Sequence, residues 1–173
     1  MIQFRDLLKR LLDEEVEFVV VGGLAATLHG VSEPTRDIDV CIRPSDDTWT
    51  KVARVLSGIH PRYALTPDRR AFEPSLAALK TFKNLYALTD LGRIDFLGEV
   101  APLGDLSRVL ANATTFEIDG RAVRVISLDD LLTVKEHIRR PKDLEVAVEL
   151  RAIRDRRAAS RKQAIEVGSD VDE

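Results

Sequence analysis

The chain is short of several things, and each shortage narrows what it can be. It has one cysteine, Cys41, in 173 residues. A single thiol closes no intrachain disulfide and builds no cysteine zinc site. Cys41 sits in an apolar run and reads as a small core residue. No stretch is long and apolar enough to span a bilayer. The opening MIQFRDLLKRLLDEE mixes charge into an amphipathic pattern unlike a signal peptide, so a cytoplasmic location and no membrane partner are expected. Positive charge is not in excess either: the net charge is -3. That argues against a globally basic nucleic-acid binder and leaves room only for a local basic face. No internal repeat is visible. What is present suits one packed domain, with 45% hydrophobic residues for a core and 32% charged residues for a solvated surface.

Hydrophobic spacing orders the elements. Ile2, Phe4, Leu7, Leu8, Leu11 and Leu12 recur at helical spacing. Val16 to Val21 is β-branched and too short for a helix, so it reads as a buried strand. Leu24 to His29 follows the Gly22-Gly23 pair as a short helix ending at Gly30. Asp37 to Ile42 alternates polar and apolar residues as a half-buried strand does. Ser45 is placed to cap a helix running to about Leu56. Residues 57–75 hold Pro61, Pro67 and Pro74 and read as a long loop. Two hairpins are expected, one near 85–97 turning at 90–92 and one over 114–126 turning at Asp119-Gly120. A short helix over 103–111 separates them. Ser127 opens another helix, with Asp130 in the capping-box position. Pro141 ends that helix and suits the first turn of the next. The domain is therefore expected over 1–157, with C-terminal helices from about 127, and 158–173 as a polar, frayed tail. The order predicts an α/β (α+β) domain with a mixed central sheet, flanking helices and a C-terminal helical hairpin.

The chemistry concentrates in one pattern. Val21-Gly22-Gly23 is followed, after thirteen residues, by Asp37-Ile38-Asp39-Val40. Residues two apart on a strand point the same way, so Asp37 and Asp39 share a face. Two carboxylates that close repel unless a cation sits between them. Mg²⁺ (or Mn²⁺) takes such carboxylates together with phosphate oxygens. A glycine pair between strand and helix lets backbone amides approach a phosphate, and the helix dipole favours the anion. Asp95, within RIDFL, is an acid in another strand; if that strand lies beside 37–42, it reaches the same site. Three acids suffice for two metals and a base. Each feature alone is more often a solvent-facing strand or a tight turn; the combination carries the reading.

The stretch EFVVVGGLAATLHG…TRDIDVCI, with the later Asp95 and the segments Leu131–Lys135 and Arg140–Asp143, resembles the nucleotidyltransferase superfamily with a DNA polymerase β-like fold. Within it the chain is similar to the small bacterial AbiEii-like toxin group. The resemblance implies roles residue by residue. Gly22 and Gly23 would form the phosphate turn. Asp37 and Asp39 would bind metal, and Asp95 would be the third carboxylate and base. Lys135 would reach the triphosphate, and Lys142 and Asp143 would begin the following helix beside it. Two departures stand out. Many relatives have Ser where this chain has Gly23, and a basic residue where it has Glu33; Arg36, directly before Asp37, is the candidate replacement for the latter.

The expected function is metal-dependent transfer of a nucleoside monophosphate from an NTP to an acceptor hydroxyl. The resemblance implies a tRNA 3′ end as acceptor and the toxin of a toxin–antitoxin pair, with an antitoxin protein as partner. A protein hydroxyl or an aminoglycoside-like small molecule are alternative acceptors. Two rivals are a non-catalytic nucleotide- or protein-binding member and a phosphohydrolase using the same acids. The basic residues Arg139, Arg140, Lys142, Arg151, Arg154, Arg156, Arg157, Arg161 and Lys162 read first as a solvated helix face and second as an RNA-backbone surface. Lys135 is balanced between a solvated helix residue and a phosphate contact. His29 and Trp49 read as structural.

Overall fold

The protein is described by a computed structural model covering residues 3–169. Ile2, expected in the first helix, lies outside the described residues. Helix α1 (Phe4–Asp13) buries Leu7, Leu8 and Leu11 completely or nearly so, the i, i+1, i+4 face its spacing predicts. Each such leucine contributes roughly 1.5–3 kcal/mol by leaving water. Strand β1 (Phe18–Val21) is buried throughout. Helix α2 (Gly22–His29) starts directly on the glycine pair, so the glycines form its first turn rather than a linker before it. It ends on Gly30 in the left-handed conformation. Strand β2 (Asp37–Ile42) and helix α3 (Asp46–Leu56) have the expected bounds, and the Ser45 hydroxyl accepts from the Thr48 amide.

The long loop holds a two-residue strand, β3 (Arg62–Tyr63), and is followed by a single helical turn, α4 (Leu76–Leu79). Strands β4 (Leu85–Thr89) and β5 (Gly92–Leu97) form the first hairpin. Short strands β6 (Glu99–Val100) and β7 (Gly104–Asp105) precede helix α5 (Leu106–Ala111), which is shorter than its expected 103–111 span because the chain pairs as β6–β7 first. Strands β8 (Thr114–Ile118) and β9 (Arg121–Val125) form the second hairpin. Both turn residues, Asp119 and Gly120, have positive φ. Helix α6 (Leu128–Ile138) and helix α7 (Pro141–Ser169) close the chain.

Among the described residues, seven strands make one sheet in the order β3-β4-β5-β2-β1-β9-β8. It is mixed: β2 runs antiparallel to β1 and parallel to β5, while β1 runs parallel to β9. Phe96 meets Trp49 of α3 edge-on at 6.5 Å, so α3 covers the face of β5 away from Asp95. Helix α1 joins the same layer, with Arg10 donating to the Val55 and Ser57 carbonyls. No helix among the described residues is long and apolar enough to cross a membrane.

Two expectations at the C-terminal end differ from the structure. Asp130 does not complete a capping box. Its amide donates to Ser127 Oγ as expected, but its buried carboxylate takes a two-pronged contact from Arg108 and a bond from Asn112. A guanidinium fork outcompetes a single local amide for a carboxylate. The segment expected to fray from residue 158 instead continues α7 to Ser169; residues 170–173 lie outside the described residues. Polarity made it look like a tail, yet Ala, Arg, Lys, Gln and Glu are good helix formers and no proline interrupts them.

Helix α7 is anchored through His29. The His29 ring is buried, its Nε2 lies 2.7 Å from the Ile126 carbonyl, and Phe116 packs edge-on against it. The Nε2–H donates there, and Nδ1 faces the Arg157 guanidinium at 3.5 Å as an acceptor, which requires a neutral ring. Arg157 of α7 donates to the His29 carbonyl at 2.9 Å. Burial, first, and then Arg157 hold the imidazole below its ordinary value of 6.5, against the carbonyl's opposing pull. In the unfolded chain His29 therefore takes up a proton before the folded protein does. Stability from this residue is present above pH 6.5 and is lost as pH falls below it. Denaturant titrations at pH 7.5 and 5.5 should show a smaller acid loss in His29→Gln than in wild type. Equal losses would remove His29 from the acid response.

Candidate active site

The register of the sheet builds the site. Val21, Asp39, Asp95 and Tyr86 are direct cross-strand partners over β1, β2, β5 and β4, so they form one row on one face. Asp37 and Arg93 form the next row on that face. The alternation that sends Ile38, Val40, Ile94 and Phe96 into the core is what leaves the acids on the other side. Gly22, at the head of α2, stands at the end of the first row. A cavity of about 760 Å³ opens over Val21, Gly22, Asp37, Asp39 and Tyr86. Its walls come from β2, from the loop before it, and from α6 and the start of α7.

The carboxylates repel one another in this enclosure. Burial, then Asp95, then Asp37 raise the Asp39 carboxyl to about 6, with Lys135 and Arg93 pulling the other way. Asp95 is nearly inaccessible, and burial raises it even though Arg93 grips both its oxygens at 2.9 Å. That fork holds Asp95 apart from its neighbours. Among the described residues, no three His, Cys, Asp or Glu side chains are gathered to hold an ion. The expected three-acid cluster thus shares one face, but its third member is engaged with a guanidinium.

Gly22 has a role the sequence pattern did not reveal. Its φ is +65°, and a Cβ there would lie 2.1 Å from Asp39 Oδ2. The glycine is the socket in which the Asp39 carboxylate sits. Gly22→Ala should therefore move the carboxylate as well as strain the backbone, which alone costs about 1–2 kcal/mol. A displaced catalytic group costs about a hundredfold in rate. Measured transfer falling by less than about threefold would show that the socket tolerates a methyl group.

The cationic candidates are tied to acids. Lys135, buried, donates to Asp143 Oδ1 at 2.8 Å, and Arg140 donates to the other oxygen at 2.6 Å. Burial would raise Asp143, but Arg140 and Lys135 outweigh it and hold its carboxyl below the ordinary value. Lys142 pairs with Glu33 at 3.1 Å across the cavity rim. Arg36 is exposed on the loop before β2 and also lines the cavity. The other basic residues of α7 largely face solvent; Arg151 pairs with Glu136 and Arg154 with Asp155.

Sequence reasoning missed Arg93 and Tyr86 as part of this constellation, and it placed Asp143 at the start of a helix without its bond to Lys135. Arg93 stands two residues before Asp95, so strand alternation alone places it on the acid face. Tyr86 alternates the same way within LYALT. Asp143 was hidden by its position in a helix's first turn, where an acid is ordinary.

A mixed sheet with paired acids facing a glycine-led helix across a cavity is the architecture of nucleotidyltransferases. The family model described as nucleotidyl transferase of unknown function (DUF2204) matches residues 2–171, and the chain belongs to that family. No curated protein matches it by sequence. Solved structures show the same fold. A putative nucleotidyltransferase from Thermotoga maritima is 19% identical, with TM-score 0.51, over 88% of this chain and 91% of its own. A lincosamide antibiotic adenylyltransferase bound to lincomycin is 15% identical, with TM-score 0.58, over 87% and 96%. The antibiotic-resistance factor ANT(2″)-Ia is 14% identical, with TM-score 0.57, over 97% and 94%.

Proposed function

We propose that this nucleotidyltransferase moves a nucleoside monophosphate from an NTP to an acceptor hydroxyl with the help of a divalent cation. The observation that carries the reading is Asp37 and Asp39 facing the α2 glycine turn inside one cavity, with Asp95 opposite Asp39 in the sheet. The donor set fits Mg²⁺ or Mn²⁺: hard carboxylate oxygens, and an Asp39 proton affinity raised by burial and then by like charge. Asp37 and Asp39 would hold the ion, and Asp95 would join them on leaving Arg93. When bound, the ion neutralises charge on the reacting phosphate.

The chain's own groups do the rest. Gly22 and Gly23, with the α2 N-terminus, offer amides and a positive dipole to the phosphates. Lys135, aligned by Asp143, points positive charge into the same cavity, and Arg36 and Lys142 stand at its rim. Asp95, where freed, takes the acceptor proton. Catalysis is then mostly positioning and electrostatics.

The acceptor reading that the comparisons favour is a small-molecule hydroxyl, because one structural neighbour binds lincomycin and another was solved with adenylyl-2″-tobramycin. A tRNA 3′ end, with a toxin role and an antitoxin partner, is the second candidate, and a protein hydroxyl the third. One assay separates them. Each α-³²P-labelled NTP is incubated with Mg²⁺ and an aminoglycoside, a lincosamide, bulk tRNA or a protein extract, with Asp37→Ala and Asp39→Ala as controls. Label should move to one acceptor class with release of pyrophosphate, and both variants should be silent. Orthophosphate release would indicate a phosphohydrolase. Wild-type protein that binds no Mg²⁺–NTP would sink the catalytic reading.

A further inference from the structure

The feature the reading above leaves unused is Thr35. A Cβ built on Gly23 would lie 2.9 Å from Thr35 Oγ1 and 3.3 Å from Thr35 Cβ. The Thr35 hydroxyl thus fills the space that a side chain at position 23 would take, directly over the first turn of α2. Thr35 is half-buried and lines the cavity. Of the cavity-lining side chains, only Thr35 and Tyr86 carry a hydroxyl, and Tyr86 belongs to the β4 side of the sheet.

The loop that carries Thr35 is held at several points. Thr27 Oγ1 reaches both the Gly23 carbonyl at 3.1 Å and the Glu33 carbonyl at 3.2 Å, joining the loop to the turn beneath it. Glu33 pairs with Lys142, and Ser32 donates through its amide and hydroxyl to Glu149 of α7, each at 3.2 Å. Thr35 Oγ1 itself donates to the Asp37 carbonyl at 2.8 Å, which points the hydroxyl toward the acid strand. The oxygen is thereby held over the turn, while its O–H can still rotate about the C–O bond.

The cations around it are mostly engaged. Lys135 and Arg140 share Asp143, and Lys142 faces Glu33. A phosphate entering over Gly23 would therefore meet backbone amides, Arg36, the Asp143-paired Lys135 and one neutral donor. We propose that Thr35 is that donor: its hydroxyl bonds a phosphate oxygen of the nucleotide above the Gly22-Gly23 turn. The O–H rotates about its C–O bond from the Asp37 carbonyl to the phosphate, and water takes over the carbonyl at the half-buried rim. The proposal rests on the nucleotidyl-transfer reading and deepens it.

The test uses the α,β-methylene NTP that wild-type protein binds most tightly with Mg²⁺, and the matching nucleoside, by calorimetry. Thr35→Val removes the hydroxyl and keeps the shape. It should weaken the triphosphate about tenfold and leave the nucleoside unchanged, as expected for one hydrogen bond to a charged group. Thr35→Ser should bind as wild type does. The pair Gly23→Ser with Thr35→Ala moves the hydroxyl across the 2.9 Å gap and should recover most of the loss. A purely structural Thr35 would instead lower the melting temperature while the triphosphate and nucleoside changed together, which overturns the proposal. Wild-type binding with an unaltered Thr35→Val affinity overturns it too and leaves the transferase reading standing. Absence of any wild-type binding overturns both.

Discussion

Asp39→Asn should make the metal-free protein more stable at pH 7.5 and nearly abolish transfer. Asp39 is raised from 3.8 to about 6 by burial and by its acidic neighbours. Between those values the folded state holds a proton that the unfolded state releases. Stability from this residue is complete below pH 3.8 and is lost as pH rises through about 6. At neutral pH the charged form costs about 3 kcal/mol, taking about 1.4 kcal/mol for each unit of displacement. Removing the charge should recover much of that, raising Tm by roughly 5 °C or more in a chain of this size. The gain should shrink when the comparison is repeated at pH 4.5. Added Mg²⁺ or Mn²⁺ should raise the Tm of the wild type and not of the variant. Transfer should fall by about two to three orders of magnitude, the effect of losing one well-placed electrostatic group. Thermal melts at the two pH values, with and without metal, test all of this. A variant less stable than wild type at pH 7.5 would mean that the cavity does not strain Asp39.

Asp143→Ala should be the most damaging single change to stability. Asp143 is buried and satisfies Lys135, whose side chain is only 11% exposed. Without Asp143 the Lys135 ammonium loses the carboxylate it is bonded to in a nearly closed site. Breaking such a pair from one side costs about 3–5 kcal/mol. Arg140, the other partner, is 71% exposed and can turn to water, so it adds little to the loss. The double change Lys135→Met with Asp143→Leu should return stability to within about 1–2 kcal/mol of wild type, because apolar packing replaces buried pairs well. It should not return nucleotide binding. That contrast, read from denaturant midpoints and NTP titrations, would show that the pair is kept for its charge in the cavity. A double variant that binds NTP normally would remove Lys135 from the site.

Local signals read the fold well wherever one face of an element is buried. The β2 bounds follow from the alternation in DIDVCI, and the α3 start follows from Ser45 as a cap. Both hairpins follow from the turn residues at 90–92 and at Asp119-Gly120. Signals failed where pairing is short or polarity misleads. Strands β3, β6 and β7 are two residues each, too short to show a period. From Ala158 to Ala164 the sequence has no large apolar residue, so no hydrophobic stripe marks that stretch as a helix. The AbiEii-like toxin assignment goes further than the family match, which reaches only nucleotidyl transferase.

The candidate site divides along the same line. Asp37 and Asp39 share a face because β-strand side chains alternate, and that is written in the local sequence. Parallel pairing of β2 with β5 is not local, and it alone brings Asp95 opposite Asp39. The same packing seats the Asp39 carboxylate against Gly22 and lays Thr35 over Gly23, while Arg93 reaches Asp95 from two residues away on its own strand. The sequence by itself determined which residues carry charge and which face of each strand they occupy. Only the tertiary structure decided which charges meet, because the distances that govern repulsion and hydrogen bonding are set by strands far apart in the chain.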